Sequence, residues 1–483
     1  MRNTVILIGF VAVYLLVRVP YYGRVLTGEE GIFAYIFLNH PVGPNYGLFG
    51  RIAGRELVGP LEHPAFLYEL ISGLGSWVER FVNLHTLPEN VRTFILRVSF
   101  SLFQLTALVL LLWLILFKRN ATKNVEEFEL RGGKFSDNDK QQTKPIIERA
   151  AIPQSRTIFY PVVLIFLISI SPIALTTSTQ LQVDGSVGVL LGCILPLGIY
   201  AAFVFHRFRF WRYYGLLTIV SFAAGLGKNE WSLALLLAQG LFVACLILFQ
   251  RRYSLPQHLR SVYLIALFSL LGLVLGNTTS YIFDPLNYRG GLDVMFRISQ
   301  SNISQSHIFI RWIKLSILRL PYIFTIAILL FGSTLVIATR LKKILSQAPD
   351  LLLIFFYSTA LFFGFLFSTW DADPRYFAPA FIAFSITAVA LFELIPQRYM
   401  RTGFLVVSAI LCIHTLTFFS IQFLSPAKNY LSNSKMKIAP QACIPLLDTA
   451  AGYFNKQIDF IGSSLSKGDA EVIAGRFGKR PCL

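Results

Sequence analysis

Long apolar blocks, separated by shorter polar segments, recur along most of this chain. A helix needs about 20 mostly apolar residues to cross a bilayer, because each backbone group in lipid must be hydrogen-bonded within the segment. Of the 483 residues, 55% are hydrophobic, whereas soluble domains have about 45–50%. The chain therefore reads as an all-α polytopic membrane protein. About eleven blocks have spanning length, near residues 4–20, 95–117, 157–178, 186–205, 213–227, 231–249, 261–283, 316–338, 351–370, 376–395 and 402–424.

The charges between the blocks predict an orientation. Four short loops carry only basic charge, and the turns between them are acidic or nearly neutral. Basic short loops stay in the cytoplasm, so the N-terminus is predicted inside and the C-terminus outside. The net charge of +18 is explained by the same loops, which meet anionic headgroups, and nucleic acid is not an expected partner. The basic loops are residues 206–212, 250–260, 340–343 and 397–401.

The first outer loop, residues 21–94, belongs to a transmembrane domain that covers residues 1–424. It contains two amphipathic stretches that are too polar to span, Gly31–Asn39 and Pro64–Leu84. Both are predicted to be helices that lie at the membrane surface, with Trp77 and Tyr68 as interface anchors.

Two further polar segments complete the predicted organisation. Residues 118–156 are mixed in charge and poor in large apolar residues, which indicates a disordered or loosely ordered cytoplasmic loop. Residues 425–483 form a small outer C-terminal tail domain. The tail contains Cys443 and Cys482, and a disulfide between them is favoured in an external compartment.

An acidic pair, Glu29 and Glu30, follows the first block on the predicted outer face. A carboxylate beside a like charge at a partly desolvated surface can act as a general base. The plainer interpretation is an acidic loop solvated by headgroup water. Asp184 opens the fourth block on the same face, where it is either a helix N-cap or a ligand. Asp371 and Asp373 lie at another outer turn, and Asp–Pro pairs are ordinary turn formers.

Basic residues lie on the same predicted face. Lys228 follows a long apolar run, and Arg375 begins a late block. A cation at this depth is costly and needs a partner, either a lipid headgroup or the phosphate of a lipid-linked substrate. In the first loop, Arg51 and Arg55 share a helical face and precede His63. A transporter should instead carry polar residues near the bilayer midplane, in broken helices and repeated halves.

These motifs, in this order, resemble those of the GT-C glycosyltransferases. The motifs are the acidic pair after the first span, the long first loop, the Asp184-Gly185 pair, Gly-x-Gly-Lys ending at Lys228, and Arg-Tyr-x-x-Pro beginning at Arg375. The chain is most similar to the lipid A aminoarabinose transferases of bacteria and the dolichyl-phosphate-mannose protein mannosyltransferases. The similarity is best over about residues 1–230 and weaker at 369–380.

The resemblance implies a sugar donor carried on polyprenyl phosphate and an acceptor hydroxyl on a lipid, glycan or protein, as in lipopolysaccharide modification or protein glycosylation. Glu29 matches the family's usual first-loop Asp and Glu30 the following Glu, and which of the two is the base is left open. Asp184 matches the second outer carboxylate. Lys228 and Arg375 match cations near the donor phosphate.

Five further residues are predicted to bind substrate because they lie on the same predicted outer face, namely Arg51, Arg55, His63, Asp373 and Tyr376. His63 alone would more simply be a structural hydrogen-bonding residue. Some relatives bind a divalent metal through such acids, so a metal cofactor is left open, and the location implied is the inner (plasma) membrane of a bacterium. Two alternatives stand beside a glycosyltransferase: a ligase or polymerase that uses a lipid-linked glycan, and a flippase or transporter for lipid-linked sugars.

Overall fold

The computed structural model is almost entirely helical. It describes residues 2–22, 37, 65–130, 159–179, 181, 187–205, 210–227, 229–253, 259–283, 288, 308–347, 350–368, 374–392, 397–424, 443–445 and 480–482. Short 3₁₀ helices cover Leu84–Thr86 and Pro374–Phe377, and two strands, β1 (Cys443–Pro445) and β2 (Arg480–Cys482), pair in parallel. The α-helices are α1 (Arg2–Tyr22), α2 (Ala65–Glu79), α3 (Glu89–Leu130), α4 (Phe159–Ser169), α5 (Pro172–Ser178), α6 (Val187–Phe205), α7 (Phe210–Leu226), α8 (Asn229–Tyr253), α9 (Leu259–Phe283), α10 (Ile308–Gln347), α11 (Asp350–Ser368), α12 (Ala378–Phe392) and α13 (Gln397–Leu424).

Several of the described helices are long and apolar enough to cross a membrane. Four qualify singly, in α3, α8, α9 and α10, and α4 with α5 makes a fifth if this pair, bent by 56°, is one span. The remaining predicted blocks coincide with shorter apolar helices in α1, α6, α7, α11, α12 and α13. A helical membrane protein is therefore confirmed, and a total of eleven spans stays a prediction.

The core of the bundle is centred on α12. Nearly all side chains from Phe377 to Leu391 are buried, and the helix packs against α3, α4, α5, α6, α10 and α11. A helix that is apolar on every side is stable only when neighbours surround it. This central position explains why α12 lacks the polar face of a surface helix.

Glycines bring α7 and α9 into close parallel contact. A Cβ atom added at Gly272 would collide with the carbonyl oxygen of Thr218, and one at Gly276 with that of Phe222. Small residues four apart let two membrane helices approach until their backbones touch. One further hydrogen bond, from Thr218 Oγ1 to the Phe268 carbonyl at 3.4 Å, joins the same two helices.

The polar segments differ in part from expectation. Helix α3 continues to Leu130, so the first residues of the predicted cytoplasmic loop 118–156 are helical rather than loosely ordered. Lysine, arginine and glutamate are good helix formers, and they allow the helix to continue beyond its apolar part. The remainder of this loop, residues 131–156, lies outside the described residues.

The first loop is described in part. Helix α2 lies within the predicted surface stretch Pro64–Leu84; Ile71 on it is buried, whereas Trp77 is 55% exposed. The ring of Trp77 packs edge-on against that of Phe81 at 5.1 Å. Of the stretch Gly31–Asn39 only Phe37 is described, and it is buried with its ring 5.9 Å from Phe100.

The tail, residues 425–483, is described only at its two strands. The register places Cys443 opposite Arg480 and Cys482 opposite Pro445. The two cysteines therefore lie on neighbouring strands, two positions apart. The external location of this tail stays a prediction.

Candidate functional site

Most of the predicted site residues lie outside the described part of the chain. Arg375 and Tyr376 are described, in the 3₁₀ helix Pro374–Phe377, where Tyr376 is half-buried against the core. For the remaining predicted residues, only the helix ends that precede or follow them in the sequence are described. The residues outside the described ranges are Glu29, Glu30, Arg51, Arg55, His63, Asp184, Lys228 and Asp373.

The C-terminal end of α1 is fixed against α3. The Tyr22 hydroxyl lies 2.8 Å from Ser101 Oγ, and the Tyr22 ring packs edge-on against Phe94 at 5.4 Å. Tyr22 is the last residue of α1, and Glu29 follows it by seven residues. The C-terminal end of α1 therefore lies against the N-terminal part of α3.

The C-terminal end of α5 is fixed against the same part of α3. Arg97 donates from a terminal guanidinium nitrogen to the carbonyl oxygen of Thr179 at 2.7 Å, and Thr179 is the C-cap of α5. A helix leaves its last carbonyls without partners, and a basic side chain is a favourable donor to them. Asp184 follows this anchored residue by five positions.

The 3₁₀ helix that carries Arg375 lies against α5. It also packs against α10, α11 and the start of α12, and buried Phe377 has its ring 5.9 Å from that of Phe362. Arg375 and Tyr376 are therefore held at the end of the bundle where α5 ends at Thr179.

Gly227 and Asn229, which flank Lys228 in the sequence, lie at the same end of the bundle, as the contacts of Trp231 indicate. Trp231 lies in the first turn of α8, is fully buried, and packs so closely on Gly227 that a Cβ there would collide with its ring. Its indole also contacts the position of Gly192, whose other neighbour is Pro379. Within the described part of the chain, the buried indole N–H has no hydrogen-bond partner. We call this region, defined by Tyr22, Thr179, Gly227 and Pro374–Phe377, the Arg375 end.

A fully buried arginine, Arg18, lies one turn before the end of α1. Its guanidinium carbon stands 3.4 Å from the centroid of the Tyr14 ring. All of its hydrogen-bond acceptors in the described residues are uncharged: Ser178 Oγ (2.6 Å), the carbonyl oxygens of Ser169 (2.8 Å), Tyr14 (3.0 Å) and Ala174 (3.3 Å), and Gln104 Oε1 (3.3 Å).

Arg18 replaces hydrogen bonds that are lost where α4 breaks into α5. Pro172 lacks an N–H and cannot continue the helix, and Ser171 before it is extended, with φ −64° and ψ 154°. The carbonyls just before the break then lose the N–H donors of the next turn, and an apolar environment supplies no others. Arg18 donates to Ser169 before the break and to Ala174 after it. Gln104 joins the same network by donating to Thr177 Oγ1 at 3.2 Å.

This network was not foreseen from the sequence, although the signals were present. Arg18 and Gln104 each interrupt an apolar block, and ionisable or amide groups inside spans almost always pair within the bundle. Pro172 inside the third block marks the break.

Whether the chain binds a metal stays open. The described ranges contain no group of three or more His, Cys, Asp and Glu side chains placed to hold a metal ion. The acids Glu29, Glu30 and Asp184 lie outside those ranges.

No known protein family, curated protein or solved structure matches the chain.

Proposed function

We propose that the chain is a membrane glycosyltransferase of the GT-C type, which moves a sugar from a polyprenyl-phosphate carrier to an acceptor hydroxyl. The observation that supports this proposal is the convergence of helix ends at the Arg375 end. Helices α1 and α5 end there and α8 begins there, and in the sequence Glu29, Asp184 and Lys228 lie within seven residues of these helix ends. Helix ends from distant parts of the sequence thus meet at one end of the bundle, with the 3₁₀ helix that contains Arg375.

The proposed reaction uses one carboxylate and a good leaving group. Glu29 or Glu30 takes the proton of the acceptor hydroxyl, and the oxygen attacks the anomeric carbon from the face opposite the carrier. The bond from that carbon to the phosphate oxygen breaks, and polyprenyl phosphate leaves with its electron pair. Glycoside hydrolysis typically needs a second carboxyl group to protonate a poor leaving group, whereas a phosphate leaves as a stabilised anion.

Cations take the place of that acid in this proposal. Lys228 and Arg375 would stabilise the charge that develops on the leaving phosphate, as positioned donors do in other transferases. Arg51, Arg55, His63, Asp373 and Tyr376 would contact the sugar or the acceptor. The resemblance adds a bacterial inner membrane, with the Arg375 end facing outward and a lipid, glycan or protein as acceptor.

Replacement of the carboxylates by their amides tests the proposal. Purified protein in lipid nanodiscs is given a panel of polyprenyl-phosphate hexoses and pentoses, and released polyprenyl phosphate is measured by mass spectrometry. Glu29→Gln should reduce turnover by about 10²–10⁴-fold, the usual effect of losing a positioned base, while the protein still inserts. Loss in Glu30→Gln alone would assign the base to Glu30. Normal turnover in both variants would refute the mechanism.

A second candidate function, transport of a lipid-linked sugar, is favoured by one observation. A broken helix and a buried charge inside a bundle are typical of transporters, and α4, α5 and Arg18 provide both. In this chain, however, carbonyls beside the break accept hydrogen bonds from Arg18 instead of being left for a substrate. Movement of a labelled polyprenyl-phosphate sugar across proteoliposomes that persists in Glu29→Gln would support the transporter.

A further inference from the structure

An apolar cavity of about 160 Å³ lies between α4, α10, α12 and α13, away from the Arg375 end. Its wall on α12 includes Leu391, which is 13 residues from the start of that helix at Ala378. At 1.5 Å per residue this is roughly 20 Å along the helix axis. The cavity therefore belongs to the opposite half of the bundle and is separate from the proposed site.

Two glycines create this cavity. Gly332 on α10 and Gly403 on α13 both line it, and a Cβ atom added at either one would meet no atom within 4 Å. Helix α13 rests on α4 through Phe404, whose ring lies 4.7 Å from that of Tyr160, in a small cluster apart from the main core. The space between this cluster and α10 is left unfilled.

The lining excludes water as a stable occupant. Ser333 is the one side chain with a polar group among the lining residues, and its hydroxyl has no hydrogen-bond partner among the described residues. A stably held water needs two to four polar partners, and a cavity of about 150 Å³ lined by apolar side chains stays dry and binds benzene. An apolar occupant is therefore favoured.

The position of the cavity in the bundle indicates what the apolar occupant would be. Its wall on α10 lies within the apolar segment Tyr322–Leu345, which is long enough to cross a membrane. Leu335 lines the cavity and is 55% exposed, and neighbouring Phe331 is 72% exposed, so the cavity lies next to the lipid-facing surface. Hydrocarbon chains are the solvent at that depth.

We propose that this cavity binds one acyl chain of a membrane lipid, which enters from the leaflet opposite the Arg375 end. The volume admits roughly six carbon atoms, by comparison with the benzene-binding cavity of similar size. The bound chain would fill the gap between α10 and α13 and so support the peripheral helix α13. This site is independent of the proposed transferase reaction.

Photo-crosslinking of the full-length protein in nanodiscs tests this proposal. The probe is a phosphatidylethanolamine with a diazirine in one acyl chain, and adducts are located by peptide mass spectrometry. Adducts per residue on 328–336 and 403–407 should exceed by at least five-fold those on the exposed face of α9 at Val274 and Ile282. Equal labelling of these surfaces would mean ordinary boundary lipid and would overturn the proposal.

Variants in which larger side chains fill the cavity are compared with a control variant in which they do not. Gly332→Leu with Gly403→Leu should return the adducts to the level of the α9 face, because both new side chains enter open space. Gly364→Leu on α11 is the control, since that position also has no atom within 4 Å of a Cβ and does not line the cavity. If the double variant fails to fold, the single Gly332→Leu variant gives the same comparison. Undiminished adducts in the filled protein, or protein–protein crosslinks at these residues, would contradict an acyl-chain site.

Discussion

Among the described residues, Arg18 is bound by uncharged groups alone, and its loss should therefore leave buried acceptors unpaired. Arg18→Met keeps much of the side-chain volume but removes the hydrogen bonds to the Ser169 carbonyl, to Ser178 Oγ and to Gln104 Oε1. Each buried acceptor left unsatisfied costs about 1–3 kcal/mol, so we expect a total loss of stability on the order of 3 kcal/mol. Thermal melting of the protein in detergent measures this loss.

Two further variants serve as comparisons for the melting temperature of Arg18→Met. Arg18→Lys keeps the charge but replaces a planar fork by a compact ammonium, so its melting temperature should fall between those of Arg18→Met and the unchanged protein. Lys342→Met removes an exposed cation from α10 and should melt as the unchanged protein does. Equal melting of Arg18→Met and Lys342→Met would show that the network contributes little.

The two cations of the proposed site make a different prediction, on binding rather than stability. Lys228→Ala and Arg375→Ala should each raise the KM for the lipid-linked donor, because a charge-assisted hydrogen bond to phosphate contributes roughly 1.5–3 kcal/mol. Steady-state kinetics at saturating acceptor measures the change, and the preference among acceptors should stay the same. An unchanged donor KM in both variants would assign these residues to headgroup contact or topology.

At the scale of elements, the contact between α7 and α9 depends on backbone proximity. Gly276→Ala would place a methyl group against the carbonyl of Phe222, and a backbone atom cannot move aside as a flexible side chain can. Overpacking of this kind typically costs about 1–3 kcal/mol. We therefore expect a lower melting temperature for Gly276→Ala. Gly364→Ala, in open space on α11, is the matched control and should melt at or above the original temperature.

The positions of helices could be predicted from the sequence, but their breaks and contacts could not. Apolar length alone predicts where a helix lies, and every predicted block overlaps at least one helix of the structure. The same criterion does not reveal that Pro172 splits a block at a 56° bend, since the residues on both sides are equally apolar. The Gly272–Gly276 spacing is visible in the sequence, yet it does not show which helix it faces.

For the whole molecule, the sequence and the structure describe different parts of the candidate site. Charge patterns predicted that distant motifs share one face, and the described helix ends converge at the Arg375 end. In the sequence the carboxylates stand between the apolar blocks, where no hydrophobic period constrains the backbone, so their placement could not be derived from pattern. Arg375 and Tyr376 lie in a 3₁₀ helix that packs into the bundle.

Orientation in the membrane is the remaining property of the whole molecule, and reporter fusions measure it. A reporter fused after Arg131 should be cytoplasmic and one fused after Ser434 external, because the basic short loops are retained inside. A fusion after Gln257, in the basic segment 250–260, is the control and should agree with Arg131. Since α1 and α5 both end at the Arg375 end, this result would also assign that end to one side.

The reporters also show whether the number of helices that cross between the two fusion points is odd or even. Opposite sides require an odd number of crossings, as the nine predicted blocks from 157–178 to 402–424 demand. The same side for both fusions would require an even number, so at least one of these helices would fail to cross. Such a failure would occur in the bent pair α4 and α5 or in the short apolar helices of α6, α7, α11, α12 and α13, because among the described residues of this interval only α8, α9 and α10 reach spanning length singly. Fusions placed in each successive connection would then identify the helix concerned.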